Sequence, residues 1–250
     1  MLAARLRGMG QAEDAEKLLR DALEIGTPQM AESIWVVLSQ HFAETGDVAA
    51  AANAYGEAIE LSPEVSERGW LTYADLLAGA GRNDEALEAA KHLKADRYRN
   101  LIESRVRLNQ GEPKQALELL DKVLPLWPNN AGARYFAARA AEQQGLFERA
   151  VEEYRQSVRS DAAATDAGLR LAKLLWALGD PQSAWVVCHH HLQAQPGDRD
   201  GNLFMVHMAL VRGGGSLSHQ LKQVSETAHW PAAIEPYVDG VAEISGPAAC

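Results

Sequence analysis

The strongest constraint on this sequence is a glycine that returns about every 34 residues. It stands at seven positions: Gly10, Gly46, Gly81, Gly111, Gly145, Gly179 and Gly213. Five residues after each of the first six comes an alanine: Ala15, Ala51, Ala86, Ala116, Ala150 and Ala184. A period of this length indicates supersecondary units that must stack on one another to bury their apolar faces.

The segment between two of these glycines predicts a pair of helices. Before Gly46, the residues Trp35, Leu38 and Phe42 share one helical face. Gly46 suits the left-handed conformation in which many helices end, and Asp47 suits the N-cap of the next helix. The alanine of each period then predicts a point where two helices approach closely.

This pattern resembles the tetratricopeptide repeat family. The second unit carries the family's residues at nine places: Trp35, Leu38, Ser39, Phe42, Gly46, Ala51, Tyr55, Ala58 and Pro63. The third, fifth and sixth units match at fewer places, and the resemblance covers about residues 1–230. It implies an all-α fold, a right-handed superhelical solenoid of about seven antiparallel helix hairpins. The predicted units are 1–29, 32–65, 67–96, 97–130, 131–164, 165–198 and 199–230.

Three departures from the pattern carry their own expectations. The step of 30 residues from Gly81 to Gly111 predicts a shortened junction near residues 96–100. Glu103 and Arg107 stand where the family has apolar residues, so we expect an irregular stack or a functional surface there. Residues 231–250 are expected to form a capping helix and tail. Met1 already falls inside the first helix, which favours a fragment of a longer solenoid over an end that contacts another molecule.

The resemblance also implies a place for a ligand, because the first helix of each hairpin lines the concave face in this family. The position six residues before the turn glycine holds Arg105, Arg139, Lys173 and His207 in the last four units. Neighbouring groove positions hold Tyr98, Leu101, Tyr135, Leu169, Trp176 and Leu203. Cations beside aromatic rings predict a groove for a peptide that is acidic or ends in a carboxylate.

A second interpretation of the same residues stays open. Arginine and lysine are good helix formers, so the stripe could be a solvated helix face whose charges are paired internally. Glu142 and Asp166 lie on the predicted groove side and are the candidate partners. The lysine and asparagine pattern with which the family binds chaperone C-termini is missing, so chaperone binding is not expected.

Composition and motifs exclude other classes of function. A net charge of −10 argues against general binding of nucleic acid, and no apolar run is long enough for a membrane span. The sequence contains no phosphate-binding loop, no H-E-x-x-H and no G-x-S-x-G, so we expect neither an enzyme nor a cofactor. No signal peptide is recognisable, which favours the cytoplasm, or the periplasm if the chain is an excised piece. Alternatives to a peptide-binding scaffold are self-association through exposed solenoid ends, or a regulatory arm of a larger enzyme or envelope export complex.

The stretch from Cys188 to His191, a cysteine followed by three histidines, suggests a metal site. The repeat register favours packing instead, because it places Cys188 in the core and His191 where the family prefers alanine. Successive helical residues diverge by about 100°, so His189 and His190 cannot converge on the same ion as His191. The sequence therefore predicts no metal site, and a looser, pH-sensitive junction at His191.

Overall fold

The computed structural model describes residues 12–62 and 64–212, and every regular element in that range is an α-helix. The helices are α1 (Ala12–Ile25), α2 (Pro28–Thr45), α3 (Val48–Leu61), α4 (Glu67–Gly79), α5 (Asn83–Ala90), α6 (Asp96–Asn109), α7 (Pro113–Val123), α8 (Ala131–Gln143), α9 (Phe147–Ser160), α10 (Ala167–Ala177), α11 (Pro181–Ala194) and α12 (Arg199–Arg212). Predictions for Gly10, Pro63, Gly213 and the capping segment 231–250 lie outside the described residues.

The chain divides into two compact units, Met1–Leu126 and Trp127–Cys250. In the first unit, the hairpins α2–α3, α4–α5 and α6–α7 pack one after another, and α1 packs on α2. In the second unit, the hairpins α8–α9 and α10–α11 pack together, and α12 contacts α10 and α11. The expected all-α architecture of repeated helix hairpins is confirmed. The five complete hairpins between residues 28 and 194, with α1 before them and α12 after them, fit the predicted seven units.

The recurrent glycine ends the first helix of each hairpin in the left-handed conformation. Gly46 has a φ of 89°, and the other four glycines of the series in the described range also have positive φ. After four of these five glycines, the next residue donates its N–H to the carbonyl five residues earlier, as Arg82 does to Leu77 at 2.9 Å and Asp180 does to Leu175 at 2.9 Å. These bonds satisfy a carbonyl that the helix end leaves without a partner. The glycine therefore recurs because the backbone needs a positive φ at the end of each of these helices.

The repeated alanine lies in the buried core between packed helices. All six copies are fully buried: Ala15, Ala51, Ala86, Ala116, Ala150 and Ala184. Large apolar side chains fill the space around them, among them Leu77 in the first unit and Tyr154 in the second. Because interiors are packed without voids, a larger residue at the alanine position would separate the helices.

The short third repeat differs from the expectation. α6 begins at Asp96 and is a full helix of 14 residues, whereas α5 has only 8. The missing residues therefore come from the second helix and the turn after it, and the predicted place, residues 96–100, is wrong. The carboxylate of Glu67 accepts hydrogen bonds from the backbone N–H groups of Lys94 and Ala95 at 2.7 and 2.9 Å. These bonds connect the start of α4 to the turn that leads into α6.

The polar residues at apolar positions of the fourth repeat are paired with each other. Arg107 donates to Glu103 at 3.2 Å and to Glu112 at 3.0 Å, and both bonds lie within the hairpin α6–α7. Hydrogen bonds to these two carboxylates raise the pKa of the Arg107 guanidinium. The departure in sequence is thus accommodated by ion pairs between residues of one hairpin.

Candidate functional site

The four predicted cationic positions occupy equivalent places on the first helices of successive hairpins. Arg105 lies on α6 in the first unit, and Arg139, Lys173 and His207 lie on α8, α10 and α12 in the second. Arg105 and Arg139 are half-buried, whereas Lys173 and His207 are exposed. The surroundings of these side chains differ between the two units.

Arg105 is held against the preceding hairpin of its own unit. Its guanidinium forms an ion pair with the carboxylate of Asp75 and donates to the backbone carbonyl of Asp75 at 2.9 Å. Gly79 allows this approach, because a Cβ there would lie 2.5 Å from a guanidinium nitrogen of Arg105. The charge of Arg105 is therefore compensated, as the alternative interpretation requires, but by Asp75 rather than by Glu142 or Asp166.

Arg139 and Lys173 form no ion pair within the described residues. The guanidinium of Arg139 lies 5.7 Å from the ring centroid of Tyr135, and the ammonium of Lys173 lies 5.9 Å from that of Phe204. Both distances suit cation–π contacts. These two cations thus rest on aromatic rings rather than on carboxylates.

The acids that were expected to neutralise the stripe have other partners. Glu142 accepts the hydroxyl hydrogen of the buried Tyr154 at 2.6 Å. Asp166 pairs with Arg170 at 3.0 Å, one turn along the same helix. The alternative interpretation named Glu142 and Asp166 as partners of the cationic stripe. The structure shows that neither of them pairs with Arg139 or Lys173, so this part of the interpretation is wrong.

An aromatic cluster lies beside Lys173. Trp176 approaches Phe204 edge-on at 6.3 Å and His207 at 6.0 Å, and the rings of Phe204 and His207 are stacked at 6.2 Å. The sequence predicted Trp176 and His207 but missed Phe204. Phe204 comes three residues before His207, one helical turn away on the same face, and that spacing is the signal that could have identified it.

The remaining predicted groove residues fall into two groups. Tyr98 and Tyr135 are half-buried, and Leu203 is exposed. Leu101 and Leu169 are buried, with 8% and 4% of their surface exposed, so they offer a partner little area. Burial, together with the charge of Asp166, raises the pKa of the Tyr135 hydroxyl, which accepts a hydrogen bond from Arg170.

The cysteine and histidine stretch lies on α11, and its members face different directions. Cys188 is fully buried, and burial raises the pKa of its thiol to about 12, whereas His189 and His190 are exposed. Within residues 12–62 and 64–212, no three histidine, cysteine or acidic side chains are grouped so that they could hold a metal ion. The stretch is part of the packing of α11.

The junction at His191 is tight, which corrects the expectation of a looser contact. Its imidazole is buried, and its Nε2 lies 2.7 Å from a carboxylate oxygen of Asp198. Gly168 on α10 and Gly201 on α12 border the ring, and a Cβ on Gly168 would lie 2.9 Å from the Cβ of His191. Two glycines thus provide the space that the histidine needs.

None of the helices in the described ranges is both long enough and apolar enough to cross a membrane. The exposed apolar residues are distributed over several helices rather than along one: they include Ile25, Leu61 and Val186.

Comparison with known proteins identifies related sequences. The tetratricopeptide repeat family matches residues 1–66, 36–99 and 103–167. A TPR repeat-containing thioredoxin of Arabidopsis thaliana, TTL4, is 30% identical over 112 residues, which are 45% of this chain and 16% of that protein. The match therefore spans about a sixth of the length of that relative.

Two solved structures resemble this one in fold. A thermophilic TPR protein from Thermus thermophilus superposes with a TM-score of 0.60 at 19% identity, over 72% of this chain and 100% of that one. The APC/C heterotetramer Cut9–Hcn1 gives a TM-score of 0.60 at 12% identity, over 98% of this chain and 48% of that one. At these identities the likeness concerns the fold alone.

Proposed function

This chain belongs to the tetratricopeptide repeat family, and we propose that it is an interaction scaffold that binds a peptide segment of a protein partner through its second unit. Proteins of this family generally mediate protein–protein interactions. The proposed binding surface, the cationic face, consists of Arg139, Lys173, Trp176, Phe204 and His207 on α8, α10 and α12.

The observation that carries this proposal is the pair of cations that contact aromatic rings and form no ion pair in the described part of the chain. Arg139 and Lys173 stand out on a protein with a net charge of −10, so an acidic peptide would be attracted to this face rather than to most of the surface. A guanidinium binds a carboxylate with two parallel hydrogen bonds. The neighbouring rings of Trp176 and Phe204 would contact an apolar side chain of the same peptide. Arg105 is excluded from the face because Asp75 already neutralises it.

In this proposal the chain binds its partner and does not catalyse a reaction. In support, the sequence contains none of the spacings that the common catalytic phosphate, zinc and serine sites require. The buried Cys188 has a pKa raised to about 12, which removes the thiolate that a nucleophile needs. The chain would then act by recruiting its partner, either alone or as one arm of a larger protein.

Fluorescence anisotropy tests the proposal with short fluorescein-labelled peptides that carry acidic residues and a free C-terminal carboxylate. Substituting Arg139→Glu together with Lys173→Glu should weaken binding by a factor on the order of 100, because the face then repels the peptide. Amidated versions of the same peptides separate the contribution of the terminal carboxylate from that of the acidic side chains.

The matched control is Arg155→Glu together with Arg159→Glu, which makes the same change in net charge at two exposed positions on α9. This control should bind nearly as tightly as the native protein. Equal loss of affinity in both double variants would show a general effect of charge, and unchanged affinity in the Arg139/Lys173 variant with its helicity intact would refute the cationic face.

A further inference from the structure

A cleft opens in the first unit between α4 and α5, far in sequence from the cationic face. Its volume is about 380 Å³, and it is lined by Trp70, Tyr73, Leu77, Asp84, Glu85, Glu88, Ala89 and His92. α5 is the shortest of the described helices, and His92 lies in the turn just after its last residue, Ala90. The truncated helix of the third repeat thus borders a cavity large enough for a side chain of a partner.

Stacked aromatic rings form one wall of this cleft. The rings of Trp70 and His92 lie 3.8 Å apart and are almost parallel, at 8°. Tyr73 stacks on Tyr55 at 6.2 Å, and its hydroxyl lies over Gly56, where a Cβ would come within 3.1 Å of the oxygen. Rings held in this way are a preorganised surface for a planar or cationic group.

The opposite wall is acidic. Asp84, Glu85 and Glu88 are exposed, and no lysine or arginine is among the lining residues. Glu85 pairs with Arg82, and Glu88 pairs with Lys91; neither of these two cations lines the cleft. Asp84 makes no ion pair within the described residues. The cleft therefore presents negative charge next to an indole, which is complementary to a cation.

We propose that this cleft binds an arginine side chain on a basic peptide segment of a protein partner. A guanidinium suits the cleft better than an ammonium, because its plane can stack on the pair of rings formed by Trp70 and His92 while its N–H groups reach Asp84. The N–H groups also reach Glu88 where the guanidinium displaces the exposed Lys91. The site goes beyond the proposed function: it lies in the other unit and selects the opposite charge. Its test is therefore independent of the cationic face.

The probe is the peptide Gly-Arg-Gly-Arg-Gly-amide with fluorescein on its N-terminal amine, titrated with the native protein and followed by anisotropy. Two comparison peptides replace arginine by lysine or by citrulline, which has the shape of arginine without its charge. The native protein should bind the arginine peptide at least several-fold more tightly than the lysine peptide, and the citrulline peptide should not bind. Asp84→Asn together with Glu88→Gln should reduce binding of the arginine peptide by about tenfold.

Two further variants separate the cleft from general charge and from misfolding. Glu148→Gln together with Glu152→Gln removes the same charge from exposed positions on α9 and should leave affinity unchanged. His92→Ala removes one ring of the stack at an exposed residue, so it should weaken binding while the protein stays folded.

Three results would overturn the proposal: equal binding of the arginine and lysine peptides, equal loss in the α9 control, or no loss in the Asp84/Glu88 variant. Sedimentation would identify a different occupant, a second copy of the chain, if the native protein self-associates and the Asp84/Glu88 variant does not. That outcome would also overturn the assignment to an arginine peptide.

Discussion

Some residues that shape this molecule recur with the repeat period, whereas others act through contacts between distant parts of the chain. Only the recurring residues can be recognised in the sequence. The turn glycines and contact alanines recur with the repeat period, so their roles could be predicted from spacing alone. The contact of Gly168 with His191 could not, because the two residues lie on different helices and Gly168 does not belong to the repeat pattern. The ion pair between Arg105 and Asp75 joins equivalent positions of adjacent repeats, but the spacing alone does not show that the two side chains meet.

Gly168→Ala is expected to destabilise the second unit by about 1–3 kcal/mol, because the new methyl group would overlap the Cβ of the buried His191. Urea unfolding measures the effect. Gly132→Ala is the matched control: it is also the second residue of a first helix, and a Cβ there meets only Asn130 Oδ1 at 3.5 Å. Alanine at that position should be neutral or stabilise by up to about 1 kcal/mol. Equal effects at the two sites would contradict the packing described for His191.

At the scale of helices, the sequence predicts the hairpins well and their lengths less well. The period gives the number of residues lost in the third repeat, but the loss can fall in either helix or in the junction. In the structure, Glu67 accepts hydrogen bonds from backbone N–H groups 27 and 28 residues away, in the turn after the short α5. A contact over that distance leaves no local pattern in the sequence.

The hydrogen bonds to Glu67 should make the free energy of unfolding depend on pH in the acidic range. The hydrogen bond from the Ala95 N–H lowers the pKa of Glu67 below its ordinary value of 4.5. A carboxyl whose pKa is lower in the folded state stabilises the protein above the unfolded-state pKa, and this contribution is lost as pH falls through the folded-state pKa. Urea midpoints between pH 7 and pH 3 should therefore fall less steeply for Glu67→Gln than for the native protein.

Glu118→Gln provides the control for that titration, since Glu118 is an exposed residue on α7. Its midpoints should follow those of the native protein across the whole range. If Glu67→Gln retains the native slope, the carboxylate does not hold the turn after α5.

On the scale of the whole molecule, the sequence located the helices that carry the proposed cationic face but not which of its charges are paired. The register of 34 residues placed the four cationic positions on helices, and the structure has them on α6, α8, α10 and α12. It could not show that Arg105 is neutralised within the first unit while Arg139 and Lys173 rest on aromatic rings in the second. Whether a cation is paired depends on whether its side chain can contact an acid on the neighbouring hairpin. The same repeat period is compatible with a paired cation and with an unpaired one.

We expect the cationic face to bind acidic peptides by charge complementarity, and a reciprocal exchange of charge is the sharpest test of this binding. The measurement compares the native protein and the Arg139→Glu/Lys173→Glu variant, each titrated with an acidic peptide and with the same peptide carrying lysines in place of its acidic residues. The native protein should prefer the acidic peptide and the variant should prefer the lysine peptide, so that the effects of the two changes on the binding free energy are not additive. A variant that is folded but retains the native preference for the acidic peptide would contradict this expectation.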